Sequence, residues 1–121
     1  EHYKTWESIF KGIQKSVDIV AFRDGHVEYD QLEEFININK SLADQNQITS
    51  WINSETFDRD MPIKFLPIKW DKLRYKLETA GKVGISEAIT FEFSHFMSPQ
   101  SAYPQAGHLY NRYLEYLKEN K

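Results

Sequence analysis

The sequence contains no cysteine. That absence removes disulfide staples, thiolate metal ligands and cysteine nucleophiles together, and it fits a reducing or an oxidising compartment equally. Glycine is sparse, at five residues, and no glycine-rich phosphate loop is present. Basic charge is neither abundant nor clustered: 15 Lys and Arg stand against 18 Asp and Glu, for a net charge of −3. Without a basic stripe to neutralise phosphates, nucleic acid is not an expected partner. No apolar run approaches the ~20 residues needed to cross a bilayer, so no membrane span is expected. The first residues, Glu1-His2-Tyr3, carry neither an initiator Met nor a signal peptide, and a processed or truncated start is expected.

What the chain does have is aromatic side chains: three Trp, seven Tyr and eight Phe in 121 residues. Such residues build cores and also line ligand grooves. Three short segments rich in branched or aromatic residues read as buried strands: 17–22 (VDIVAF), 48–53 (ITSWIN) and 88–93 (AITFEF). Helical spacing falls between and around them. Residues 5–15 place Trp6, Ile9, Phe10 and Ile13 on one face, with Thr5 as N-cap. Residues 29–43 carry Leu32, Phe35, Ile36 and Ala43, residues 71–80 carry Leu73, Leu77 and Ala80 with Gly81 as stop, and residues 106–118 end the chain.

Strands that alternate with helices predict a parallel sheet covered by helices. The strand starts are about 31 and 40 residues apart, close to the roughly 31 residues per unit of a (β/α)₈ barrel. Connections from helix to strand are short (44–47 and 81–87), whereas those leaving the strands (54–70 and 94–105) are long and rich in aromatics and proline. Elaborate loops at the carboxyl ends of parallel strands are where such proteins put their sites. A closed barrel needs eight units, and this chain holds three. The expected fold is therefore α/β: a single domain over residues 1–121, the last three βα units of a TIM barrel with a preceding helix. An open flavodoxin-like sheet is the rival, but it would leave two bare edges and little core.

Side chains alternate across a strand, so a spacing of two selects one face. In the last strand Ile89, Phe91 and Phe93 form an apolar set expected to pack on helices, leaving Thr90, Glu92 and Ser94 to point into the barrel. Glu92 is then a carboxylate at the mouth, or the partner of a cation from another strand. In the middle strand Trp51, Asn53 and Glu55 share a face. An aromatic platform, an amide for hydroxyls and a carboxylate suit carbohydrate chemistry, although Trp51 as core and Glu55 as a solvated loop residue is the plain alternative. Asp24 follows the first strand as acid, base or hydroxyl ligand, or as part of an ordinary Asp-Gly turn. His95 is a ligand-binding group or an orienting partner of Glu92, and Gln100 lies in the same loop. His26, His95, Asp24, Glu55 and Glu92 could converge, yet no HxH or HExxH spacing is present and no metal is expected. No GxSxG elbow supports a serine nucleophile.

Taken together, residues 19–25 (IVAFRDG), 51–57 (WINSETF) and 89–99 (ITFEFSHFMSP) resemble the later strands of an uncharacterised bacterial family of TIM-barrel proteins. That family is classed as a domain of unknown function and is similar to glycoside hydrolases. The resemblance runs from Trp6 to Leu117 and is carried by the three motifs jointly. It implies a barrel, usually in exported bacterial proteins, with a role in glycan metabolism; a periplasmic or cell-surface location follows from it alone. In the wider clan of retaining glycosidases the nucleophilic Glu ends the seventh strand and the acid/base Glu the fourth. On that numbering Glu55 matches the nucleophile, and its partner belongs to the missing half of the barrel.

The expected function is thus a glycoside-hydrolase-like domain that acts on or binds glycans and is incomplete as an enzyme by itself. The alternative is a non-catalytic carbohydrate-binding or structural domain. Glu55 and Glu92 are the candidate catalytic residues; Asp24, Trp51, Asn53, His95 and Gln100 are the candidate substrate-binding ones. Expected partners are a carbohydrate and either the missing barrel half or a second copy covering the open sheet edges. No cofactor is expected.

Overall fold

The computed structural model describes residues 2–25, 27–60 and 64–121. Two compact units emerge, Glu1–Asn53 with Leu77–Ile89, and Ser54–Lys76 with Thr90–Lys121. The chain runs α1 (His2–Ile13), β1 (Ile19–Arg23), a 3₁₀ turn (Tyr29–Gln31), α2 (Leu32–Gln45), β2 (Thr49–Glu55), β3 (Phe57–Asp60), β4 (Lys64–Pro67), α3 (Trp70–Val83), β5 (Ala88–Phe91), α4 (Phe93–Phe96) and α5 (Pro104–Glu119).

The first unit is built on a parallel ladder. β1 pairs with β2 in the register Ile19↔Thr49 through Arg23↔Asn53, and the sheet order is β1-β2-β5. This is the arrangement that alternating strands and helices predict. Phe22 and Ile52, opposite one another, face the helices and join Phe10, Leu32, Ile36, Leu42, Ala43, Ile48, Ala80 and Ile85 in one buried cluster. Each of the Phe, Leu and Ile side chains contributes ~1.5–3 kcal/mol when fully withdrawn from water, and the alanines less. Of the face expected for the first helix only Phe10 is buried; Trp6 and Ile9 remain largely exposed, and the helix starts at His2 rather than after Thr5.

Two helices of this unit end in the same device. At the end of α2, Ile48 N–H donates to Ala43 O (2.9 Å) and Gln47 N–H to Asp44 O (3.1 Å), with Gln47 at φ 59°. At the end of α3, Ile85 N–H donates to Ala80 O (2.9 Å) and Gly84 N–H to Gly81 O (3.0 Å), with Gly84 at φ 99°. Both are Schellman closures, which satisfy the orphan carbonyls of the last turn and need a left-handed residue. Gly84, not Gly81, is therefore the stop of α3. Gly81 lies inside the helix, where an added Cβ would meet nothing within 4 Å.

The second unit departs further from expectation. Residues 54–70, read as a loop, hold an antiparallel hairpin in which Phe57 pairs with Pro67 and Arg59 with Phe65. Its first strand, FDRD, holds one apolar residue among three charged ones, which a hydrophobic-pattern reading passes over. Phe57 is the hub of an aromatic group, with ring centroids 4.9 Å from Phe65, 4.9 Å from Phe96 and 6.3 Å from Phe91. Phe93 stands 5.9 Å from Tyr110 and Trp70 5.5 Å from Tyr116. Much of the aromatic surplus is thus spent in packing.

The face of β5 is the reverse of the one expected. Ile52 N–H donates to Glu87 O (3.1 Å) and Thr56 N–H to Phe91 O (2.6 Å). In a parallel ladder these bonds set Ile52 beside Ala88 and, four residues on, keep the same register. By that register Ala88 and Thr90 lie on the side of Ile52 and Ile89 and Phe91 on the opposite side, with only Thr90 of the four partly buried. Ile89 and Phe91 are 41% and 40% exposed. Phe93 does not continue the strand but opens α4, and Glu92 is the cap of that helix rather than a strand residue. An apolar period of two fails to name the face because strands of parallel sheets are commonly apolar on both.

Candidate functional site

In the first unit Asp24 directly follows β1 and is 3% exposed. Its N–H approaches Asn53 O at 3.4 Å and its carbonyl accepts from Val27 N–H at 3.1 Å, closing a turn. The turn reading and a buried carboxylate thus hold together. Trp51 and Asn53 are half-buried on the face of β2 that points away from the Phe22–Ile52 core. Among the described residues nothing hydrogen-bonds to the buried Asn53 Oδ1; a buried acceptor in this state calls for water or a ligand group. His26 falls outside the described residues.

In the second unit Glu55 ends β2 and is 2% exposed. Arg59 Nη2 donates to Glu55 Oε1 at 3.0 Å and reaches Oε2 at 3.3 Å. Lys76, itself buried, donates from Nζ to the Glu55 carbonyl at 3.1 Å. The hairpin is what makes this possible. β3 carries Arg59 back beside the end of β2, and its guanidinium lies 5.8 Å from the Phe57 ring and 5.7 Å from the Phe65 ring. These are cation–π contacts that hold the cation in place. Glu55 is therefore a buried, paired carboxylate and not a solvated loop residue.

Thr56 ties the ends of β2 and β5 together. Besides its N–H bond to Phe91 O, its hydroxyl donates to Glu92 O at 3.0 Å. The register makes Phe91 the neighbour of Glu55 across the ladder, on one sheet face. Glu92 has a different engagement. Its Oε1 caps α4 by accepting from His95 N–H at 2.7 Å, and His95 Nδ1 stands 2.7 and 2.8 Å from its two oxygens. These hydrogen bonds from His95, foremost the side-chain one, hold the Glu92 carboxyl below the usual carboxylate range against a smaller opposing effect of burial. The cation expected from another strand is replaced by a His three residues on. Gln100 lies exposed in the turn after α4, where its N–H donates to Ser98 Oγ at 3.1 Å.

Sequence reasoning missed Arg59, Lys76, Thr56 and the role of Phe91. A signal for Arg59 existed: Trp51, Asn53, Glu55, Phe57 and Arg59 continue one period of two beyond the expected strand end. Among the described residues no group of three His, Cys, Asp or Glu is placed to hold a metal ion, and no helix is long and apolar enough to cross a membrane.

Comparison with known proteins adds two findings. A crystal structure of a protein from Bacteroides thetaiotaomicron VPI-5482, provisionally named an alpha-L-fucosidase, matches 97% of this chain at 62% sequence identity and a TM-score of 0.91. The chain spans only 36% of that protein's length. No curated protein matches it. A family described as a domain of unknown function, DUF4434, matches residues 1–103. The chain belongs to the DUF4434 family.

Proposed function

We propose that this chain is the portion of a glycoside-hydrolase-type (β/α)₈ barrel that carries the nucleophilic carboxylate, Glu55. The observation that carries the reading is the pairing of Glu55 with Phe91 at the carboxyl ends of adjacent parallel strands. A sugar ring packs its apolar face on an aromatic ring while a carboxylate reaches the anomeric carbon, and this pair offers both at neighbouring positions. Arg59 supports the role, because its charge-assisted hydrogen bond to the carboxylate fixes the direction of the Glu55 side chain. The 62%-identical structure named provisionally as an alpha-L-fucosidase makes an α-L-fucoside the first substrate to try.

Retaining hydrolysis needs a second carboxyl roughly 5 Å from the first, and inversion a wider pair. Glu92 is committed to His95 and to capping α4, so the acid/base group is assigned to the remainder of a longer protein. Asp24, Trp51 and Asn53 are assigned hydroxyl binding and platform roles, and Gln100 a peripheral one. The protein's place would be outside the cytoplasm, where the family resemblance puts such barrels. Hydrolysis of an aryl α-L-fucoside by the full-length parent should fall by at least a hundredfold in Glu55→Gln. Undiminished turnover removes Glu55 from the nucleophile role.

One observation favours a second reading, a glycan-binding domain without catalysis: both Glu55 and Glu92 are already engaged by cations or donors of their own segment. Saturable quenching of Trp fluorescence by oligosaccharides, with no product formed by the full-length parent, would select it.

A further inference from the structure

His95 is an exposed side chain held unusually firmly. Its imidazole is 74% exposed, yet the residue is fixed at three points. The N–H donates to Glu92 Oε1, the carbonyl accepts from Ser101 Oγ, and Nδ1 contacts both Glu92 oxygens at 2.7 and 2.8 Å. Ser101 is in turn held by Tyr103 N–H at 3.1 Å, and Phe96, next to His95, stacks on Tyr103 at 5.9 Å. A surface histidine with no task gains nothing from such restraint, since ordering an exposed side chain costs conformational entropy. Among the described residues no hydrogen-bond partner reaches Nε2.

The geometry decides the tautomer. An ionised carboxylate only accepts, so a nitrogen in contact with both its oxygens must carry the proton. The His95 proton therefore sits on Nδ1, and in the neutral ring Nε2 is left as a bare lone pair directed at solvent. The same logic lets a carboxylate orient a catalytic imidazole and set which nitrogen acts.

We propose that His95 is a pre-oriented acceptor that takes a hydrogen bond from a hydroxyl of the bound glycan through Nε2, and that Glu92 is its positioning residue. The inference rests on the glycan-site reading above and deepens it: it assigns to the β5 end a hydroxyl-recognising group, whereas Glu55 serves the anomeric carbon. It also gives Glu92 a role that does not require it to be a catalytic acid. A neutral Nε2 acceptor discriminates by the presence of a hydroxyl, because a deoxy sugar lacking that group would forgo the bond.

Long-range ¹H–¹⁵N correlation spectra of the ¹⁵N-labelled protein above pH 8 test this, read first without ligand and then with L-fucose. The expected result is the Nδ1–H tautomer at His95 and a shift of Nε2 on adding sugar. Glu92→Gln should move the ring toward the Nε2–H tautomer and weaken L-fucose binding roughly tenfold, and Glu92→Asp should restore part of both. An Nε2–H tautomer in the unaltered protein overturns the proposal. So does a response of the Phe91 ring to sugar in aromatic ¹H–¹³C spectra with His95 unmoved, which would leave the glycan site standing without His95. No response anywhere, to L-fucose or to a panel of monosaccharides, removes the glycan reading itself and this proposal with it.

Discussion

Replacing Arg59 by Met keeps an aliphatic stem between Phe57 and Phe65 but removes the guanidinium from a carboxylate that is 2% exposed. Stripping one partner from a fully buried ion pair costs ~3–5 kcal/mol, because the other charge is left in a poor solvent. Here the Arg59 side chain is 38% exposed, so water reaches the outer side of the pair and part of that cost is recovered. Two nitrogen–oxygen contacts at 3.0 and 3.3 Å from one Nη2 amount to a single bifurcated, charge-assisted bond, worth about 1.5–3 kcal/mol. Loss of the cation–π contacts to the two rings adds about 0.5–1 kcal/mol. Arg59→Met should therefore destabilise by about 2–4 kcal/mol. Urea unfolding followed by Trp fluorescence gives the value. A cycle with Glu55→Gln isolates the pair, with an expected coupling near ~2 kcal/mol. A coupling under about 0.5 kcal/mol, the range of exposed surface pairs, would refute the picture of Glu55 as a buried, Arg-held carboxylate.

Three other substitutions probe separate links. Gln47 occupies a left-handed position at φ 59°, so Gln47→Gly should stabilise by roughly 0.5–1 kcal/mol in the same urea assay; destabilisation would mean its side chain matters more than its backbone. Glu92 titrates below its ordinary 4.5 in the folded chain because His95 donates to it. The depressed value lies on the folded side, so this contribution is complete above pH 4.5 and is lost as pH falls through the folded value. Glu92→Gln should flatten the acid limb of stability below pH 4.5, and unchanged acid slopes in urea midpoints taken across pH 2–5 would argue that the His95 contact is not formed in solution. Phe91→Ala removes a 40%-exposed ring; it should weaken sugar binding about three- to tenfold by calorimetry while lowering stability by only about 1 kcal/mol.

The parallel α/β architecture was legible because β-branched runs and helical periods are strong local signals. Val20, Phe22 and Ile52 fall on the helix-covered side because a buried core rewards them there. What the period could not give was the face of β5, since Ile89 and Phe91 are as apolar as core residues yet stand on the open side. The hairpin of β3 and β4 went unread for a related reason. Phe57 and Arg59 alternate with Asp58 and Asp60, a pattern whose meaning depends on Phe65 and Pro67 pairing with them from β4. Glu55 and Trp51 were singled out from spacing alone, but the partner that makes Glu55 buried and directed, Arg59, comes from that same hairpin. Helix ends were displaced wherever a Schellman closure, at Gln47 or Gly84, let the helix run beyond the first plausible stop. Glu92 was found by type and place, and His95 as its orienting partner was one of the two readings open for that residue; what spacing did not give was the helical turn from Phe93 that brings the two together.

Covalent trapping tests the central assignment most directly. Incubating the full-length parent with 2-deoxy-2-fluoro-L-fucosyl fluoride and mapping the peptides by mass spectrometry would locate the group that attacks the anomeric carbon. The account predicts a fluorofucosyl ester on Glu55, absent in Glu55→Gln. An ester on any other carboxylate, with Glu55 unmodified, contradicts it.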